Sequence, residues 1–269
     1  MPRFIDPVLQ ARIQTELDAI ERKETIRIVL AVESGSRAWG FPSRDSDYDV
    51  RFLYVGPIES YLTVTPRRDV IERPVDAVLD INGWDMRKAL QLMLRSNAVL
   101  IEWLTSPVRY RSWAGADELL ALARSAASLM ALAHHYRSQA RSSVDPAGSA
   151  GGPIPLKRYC YAVRSALAVA WIRQRREAPP MEIGALLAGL TLPESLVRSI
   201  HQMIAEKLEA TEDATTPGQA IIDTFLADAL SAPDPKTTAT AREEMSLRAD
   251  AFLADLLLDR TATAAGSTC

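Results

Sequence analysis

The chain is poor in cysteine. It has two, Cys160 inside a helical pattern and Cys269 at the last position. They make no disulfide framework and point to a reducing compartment. Long apolar runs are also missing: no segment approaches the ~18 uninterrupted apolar residues read as a membrane span. The opening stretch, MPRFIDPVLQ, has no apolar signal core. These absences give the expectation of a cytoplasmic protein with no membrane partner. Net charge is close to balanced, with 31 Lys+Arg against 34 Asp+Glu, a total of −3 and a pI near 5.7. That excludes a protein whose whole surface grips nucleic acid, but not a local basic groove. No internal repeat is present.

What is there is globular. Of 269 residues, 48% are apolar, enough for a core in one large domain or two ordinary ones. Residues 8–23 carry apolar positions at helical spacing. "TIRIVLAVE" (25–33) and "YDVRFLYV" (48–55) read as strands rich in branched and aromatic residues. "DVIERP" and "VDAVLDI" (69–81) read as two more, with Pro74 between them. Residues 83–107 turn helical. From about residue 112 the texture is helical throughout: one long pattern in "ADELLALARSAASLMALAHHYRSQARSS", a break in "DPAGSAGGPIP", and a second long helix in "LKRYCYAVRSALAVAWIRQRRE". The expected fold class is α+β, a small mixed sheet with helices followed by an all-helical domain. The expected division is 1–112, 113–260 and a disordered tail, 261–269.

One stretch carries chemistry: "ESGSRAWGFPSRDSDYDVRFLYV", Glu33 to Val55. Alternation in the strand puts Asp47, Asp49 and Arg51 on one face and Tyr48, Val50, Phe52 and Tyr54 on the other. The second face is core. On the first, the Cα atoms of Asp47 and Asp49 lie about 6.6 Å apart. At an effective dielectric near 20, two such charges repel by roughly 2–3 kcal/mol. A cation between them relieves this, and hard oxygen ligands favour Mg²⁺ or Mn²⁺. Arg51 either neutralises the cluster or touches phosphate, with charge balance the favoured role. Gly35 lets backbone approach a ligand, Ser36 adds a hydroxyl, and N–H groups where a helix begins bind anionic oxygens. Arg37 and Trp39 sit beside that loop, Arg37 expected among the nucleotide-binding residues and Trp39 as packing. A phosphate loop beside metal ligands describes a bound nucleoside triphosphate. A two-metal site needs a third carboxylate from another strand. Asp80, between Leu79 and Ile81, is preferred. Asp76, on the same face of the same stretch, competes, and Glu102 is a weaker candidate.

Gly35-Ser36, ten residues, then Asp47-Tyr48-Asp49 resembles the signature of the DNA polymerase β-type nucleotidyltransferase superfamily. The longer run, with "DINGWDMRKALQLM" and "LKRYCYAVRSALA" downstream, resembles one branch, the RlaP family associated with RNA repair. The likeness covers about residues 25–190. The resemblance implies Gly35 and Ser36 at the nucleotide phosphates, Asp47 and Asp49 as metal ligands, and a third acid, placed here at Asp80. It also implies an RNA end as acceptor. Transfer to a protein or small molecule is the alternative, and a nucleotide-binding sensor without turnover a third reading. The stretch "SVDPAGSAGG" has no counterpart in the family pattern and reads as a surface loop.

The helical half adds Lys157, Tyr161 and Arg164, at i, i+4 and i+7 on one helix face. They are expected to look back into the cleft, the cations on the triphosphate and the tyrosine against base or ribose. His134 and His135, adjacent on a helix, point about 100° apart, and no further ligand is placed to make a structural zinc site. "RQRRE" (173–177) reads as favourable charge at a helix C-terminus, with an RNA-contacting edge as the alternative.

Overall fold

Asp6 opens helix α1 (Pro7–Glu24) by accepting from the Val8 and Leu9 N–H groups, and Pro7 stands at the first helical position. A side-chain cap and a proline at N1 together deal with the orphan donors of a helix start. Ile13, Leu17 and Ile20 form its buried face. The structure is a computed structural model, and it describes residues 5–258 apart from 66, 75, 77, 144–152, 232 and 234–241. The expected tail 261–269, Cys269 and nearly all of the "SVDPAGSAGG" loop lie outside the described residues.

After β1 (Arg27–Glu33) come a short helix, α2 (Gly35–Trp39), and β2 (Tyr48–Val55); β3 (Val70–Pro74) and β4 (Leu79–Asp85) follow. Helices α3 (Met86–Met93) and α4 (Ala98–Leu104) then lead to β5 (Arg109–Arg111). The sheet order is β3-β4-β2-β1-β5. Among the described residues of this sheet, only β2 and β4 run parallel. The chain leaves the far end of β2, descends as β3 at the outer edge and returns as β4 between the two. This path sets the N-terminal ends of β2 and β4 side by side.

Three expectations need correction here. Residues 83–85 are strand, not helix, because Gly83 and Trp84 hold ladder partners on both β2 and β3. Gly83 passes beneath Phe52 so closely that a Cβ would collide with its ring. Asp85 then caps α3, accepting from the Arg87 N–H. The helical stretch beyond it is broken where Ser96 takes a positive φ of 58° and Asn97 caps α4. The long pattern after residue 112 is likewise two helices, α5 (Ala116–Ala126) and α6 (Leu129–Ser143). Ala127 is extended between them, and the Ser128 N–H donates to the Ser96 hydroxyl. A side chain from the neighbouring break thus fixes this one.

The remainder is a short strand β6 (Ile154–Pro155), α7 (Leu156–Arg175), α8 (Ile183–Gly189), α9 (Glu194–Glu209), β7 (Thr215–Thr216), α10 (Ala220–Ser231) and α11 (Arg242–Leu258). One core lies between α1 and a sheet face carrying Tyr48, Val50 and Phe52. A second covers the opposite face and draws on Leu30, Leu53, Met86 and Trp103, but also on Leu132, Ala168 and Phe252. The change of texture near residue 112 therefore does not coincide with a gap in the core. A third core surrounds α7 and takes in Ala38, Trp39 and Phe41 from the segment after Gly35. Among the described residues, no helix is long and apolar enough to cross a membrane.

Candidate active site

In the parallel pair, Asp49 is the register partner of Asp80, and Arg51 that of Asn82. Register partners on adjacent strands share a face, so the two carboxylates stand together at the open end of the sheet. The Arg51 Nη2 lies between them, 2.9 Å from Asp49 Oδ1 and 2.8 Å from Asp80 Oδ2. The Asn82 amide donates to both Asp80 oxygens, at 2.9 and 3.0 Å. Burial raises the Asp49 carboxyl above its ordinary range; Arg51 opposes this, and the charges of Asp80 and Asp47 add to it. Asp47 is exposed and precedes the strand.

Among the described residues, no three His, Cys, Asp or Glu side chains form a group that could hold a metal ion. The expected three-acid cluster is therefore two paired acids and a guanidinium, with Asp47 nearby. The donor chemistry still suits a hard divalent cation: two carboxylates on rigid strands, facing each other and already bridged by positive charge.

Gly35 explains its own place in the motif. It has φ +59°, and a Cβ there would collide with Asp49 Oδ2 and come within 3.1 Å of the carboxyl carbon. The turn after β1 can approach Asp49 only without a side chain. Gly35→Ala is expected to cost roughly 1–2 kcal/mol from the left-handed backbone alone. Urea denaturation measures this, and a loss below about 0.5 kcal/mol, the scatter of neutral surface changes, would show that the turn tolerates a side chain. Ser36 is buried, and its hydroxyl pairs with that of Ser46 at 3.3 Å. Arg37 donates to the Ser46 and Asp47 carbonyls and lies 3.9 Å over the Tyr48 ring. It holds the loop that leads into the strand. Trp39 is packing, edge-on to Tyr161 at 4.8 Å.

Beneath Asp49 sits a group that sequence reasoning missed. Glu33, fully buried at the end of β1, accepts from the Asp49 N–H at 3.0 Å and from the Tyr110 hydroxyl at 2.6 Å. Its only signal was an acid closing an apolar strand, one residue before the Gly-Ser turn. Burial lifts its carboxyl to about 7, against the hydrogen bonds from Tyr110 and Asp49. A carboxyl whose folded pKa lies above the unfolded value, 4.5, gives stability that is complete below that value and lost as pH rises through the folded one. Between pH 4.5 and 7 wild type should therefore lose roughly 3 kcal/mol relative to Glu33→Gln, at 1.36 kcal/mol per unit. Denaturation midpoints of both proteins at pH 5 and pH 8 would test this, and parallel pH profiles would refute it.

From the helical side, Lys157 and Tyr161 lie within electrostatic reach of Asp49. The Lys157 charge acts on Asp49, and burial followed by the Asp49 and Glu212 charges pushes the Tyr161 phenol up. Lys157 is held by Glu212, with Nζ 2.9 Å from Oε2. Glu212 is a second missed residue. Its Oε1 accepts from Ser46 at 2.6 Å, Ser43 at 2.8 Å and wholly buried Lys207 at 3.2 Å. Burial works to raise the Glu212 carboxyl, but those hydroxyls and the lysines hold it down at about 2. The Glu212 N–H donates to Asp45, and the Arg44 N–H donates to the Ala210 carbonyl at 3.2 Å. The "PSRDSD" turn is thus fastened to the turn after α9. The available signal was Lys207 itself, which falls on the apolar stripe of α9 with Leu196, Ile200 and Met203.

Arg164 departs from expectation. Its side chain is 1% exposed and pairs at 2.8 Å with buried Glu102. It donates to the Met181 carbonyl at 3.0 Å and lies 4.4 Å over the Trp39 ring. Its guanidinium faces the core rather than the cleft, because Glu102 requires a cation there; Tyr136 completes the cluster. Glu102 is accordingly no candidate ligand. Asp76 is not on the strand. It precedes β4, accepts from the Val78 and Leu79 N–H groups and pairs with Arg12 at 2.6 Å. His135 is edge-on to Tyr136, and burial holds its imidazole below the ordinary range. The arginines at 173–176 close the far end of α7, about 24 Å along the helix from Lys157 at ~1.5 Å per residue. Arg175 there covers Trp171 and donates to the Gly189 carbonyl.

A family model described as RlaP, the RNA repair pathway DNA polymerase beta family, matches residues 9–258. Uncharacterized protein YcgL of Bacillus subtilis (strain 168) is 41% identical over 205 residues, 76% of this chain and 78% of its own. A solved nucleotidyltransferase-like protein from Exiguobacterium sibiricum 255-15 aligns with 93% of this chain and 81% of its own, at 11% identity and a TM-score of 0.32.

Proposed function

The chain belongs to the RlaP family, the RNA repair pathway DNA polymerase beta family, and from that premise we propose that it moves a nucleoside monophosphate from a nucleoside triphosphate onto a hydroxyl at an RNA end. The observation that carries this reading is the register pairing of Asp49 with Asp80 against a glycine whose turn leaves no room for a side chain. In the proposed site Asp49 and Asp80, with Asp47 beside them, hold Mg²⁺ or Mn²⁺. When bound there, such ions supply charge stabilisation at the attacking and leaving oxygens.

The remaining roles belong to the chain. The Gly35–Ser36 turn presents backbone donors to the phosphates. Lys157 adds a cation at the rim, and Tyr161 offers a ring as a wall for base or ribose. The acceptor oxygen attacks the α-phosphorus in line. The bond to the bridging oxygen breaks, and pyrophosphate leaves. Asp80 takes the proton of the attacking hydroxyl. Arg164 serves the site only by positioning, through Trp39 in α2.

Each α-labelled nucleoside triphosphate, incubated with Mg²⁺ or Mn²⁺ and RNA, a cell extract or buffer alone, tests this reading. Label on RNA is the expected result. Label on protein or a small molecule instead would overturn the choice of acceptor. Nucleotide binding with no transferred label under any condition would overturn the reaction itself.

A further inference from the structure

The Arg51 guanidinium occupies the space that a cation shared by Asp49 and Asp80 would need. One nitrogen, Nη2, contacts both carboxylates, at 2.9 and 2.8 Å. A divalent cation bridging Asp49 Oδ1 and Asp80 Oδ2 would sit at roughly 2.0–2.6 Å from each, so it and Nη2 exclude each other. We propose that Arg51 is a built-in counterion that a divalent cation must displace, and that it thereby sets the metal affinity of the site. The inference rests on reading Asp49 and Asp80 as cation ligands.

Three features favour displacement over simple neighbourhood. The guanidinium is anchored: Nη1 donates to the Val50 carbonyl at 3.0 Å and the Asp80 carbonyl at 3.2 Å, and the side chain is 18% exposed. Guanidinium does not lose its proton in proteins, so the group cannot become neutral in place and must move. Its hydrogen bonds to carboxylates are charge-assisted and stronger than neutral ones, so moving it weakens apparent metal affinity. The arrangement also places positive charge between two facing carboxylates. Arg51 removes the repulsion and keeps both side chains aimed at one point.

The experiment is Mn²⁺ titration of the full chain, read from the free-ion electron paramagnetic resonance signal. Wild type, Arg51→Ala, Arg51→Met and Asp49→Asn are compared, with circular dichroism confirming that each is folded. Arg51→Met keeps most of the apolar stem and covers the case in which alanine fails to fold. Removal of the guanidinium is expected to tighten Mn²⁺ at least tenfold, and Mn²⁺ should raise the melting temperature of the Arg51 variants more than that of wild type. Unchanged or weaker Mn²⁺ binding in the Arg51 variants, with Asp49→Asn still abolishing it in wild type, sinks this inference alone. Mn²⁺ binding that ignores Asp49→Asn sinks the metal-ligand reading beneath it.

Discussion

Asp49→Asn is expected to abolish nucleotidyl transfer, by on the order of 10³-fold or more, while the protein stays folded. The size follows from the role: a carboxylate that holds the charge stabilising the transition state contributes several kcal/mol, and each 1.36 kcal/mol is tenfold in rate. Survival of the fold follows from opposing effects on stability. Burial already penalises the charged form of Asp49, so an amide of the same shape relieves that cost. Arg51 loses one of its two carboxylate partners but keeps Asp80 at 2.8 Å. With the side chains of this cluster 18–41% exposed, the net change should stay within about 1 kcal/mol. Label transfer under single-turnover conditions and thermal denaturation are the two readouts. Transfer within tenfold of wild type would remove Asp49 from the chemistry.

Arg164→Met should destabilise the protein by roughly 3–5 kcal/mol, the cost of leaving one member of a buried ion pair without its partner. Glu102 would remain, 6% exposed, having lost the guanidinium and keeping the Tyr136 hydroxyl. For a chain of this size that corresponds to a melting temperature lower by about 6–20 °C. The double substitution Arg164→Met with Glu102→Leu is expected to regain most of the loss, because an apolar pair needs no compensation in the core. A single-site loss below about 1 kcal/mol would show that the pair is not needed for folding. Adding Arg164→Lys to the series separates the two roles for Arg164. A guanidinium on the triphosphate would, on conversion to lysine, change KM without changing stability. One that packs Trp39 against α7 changes stability first.

Glu33, Asp80 and Arg164 show how far the sequence could be read. Asp80 was legible as an acid between two apolar strand residues, although its partner strand was not. Glu33 was visible only as the last residue of a core strand. Nothing in its spacing says that its carboxyl accepts from the Asp49 N–H. Arg164 was legible as one of three residues on a helix face, but that face turns gradually. Lys157 and Tyr161 lie within electrostatic reach of Asp49, while Arg164, a turn further on, meets Glu102 in the interior. The breaks at Ser96 and Ala127 were missed for a related reason, since each is stabilised by contact with the other.

The sequence by itself determined the local pieces: the β1–turn–β2 unit, the glycine in it, the carboxylates ahead of an apolar strand, and the long α7. These depend on periodicity and on spacings within a few residues. Only the tertiary structure decided that β4 would lie parallel to β2 and bring Asp80 opposite Asp49, that Arg51 would sit between them, and that Glu212 would fasten the helical half to the loop before Asp47. Periodicity assigns a residue to a face. It does not assign the partner across that face, because the partner depends on how the chain returns, over 31 residues from Asp49 to Asp80 and 163 from Asp49 to Glu212.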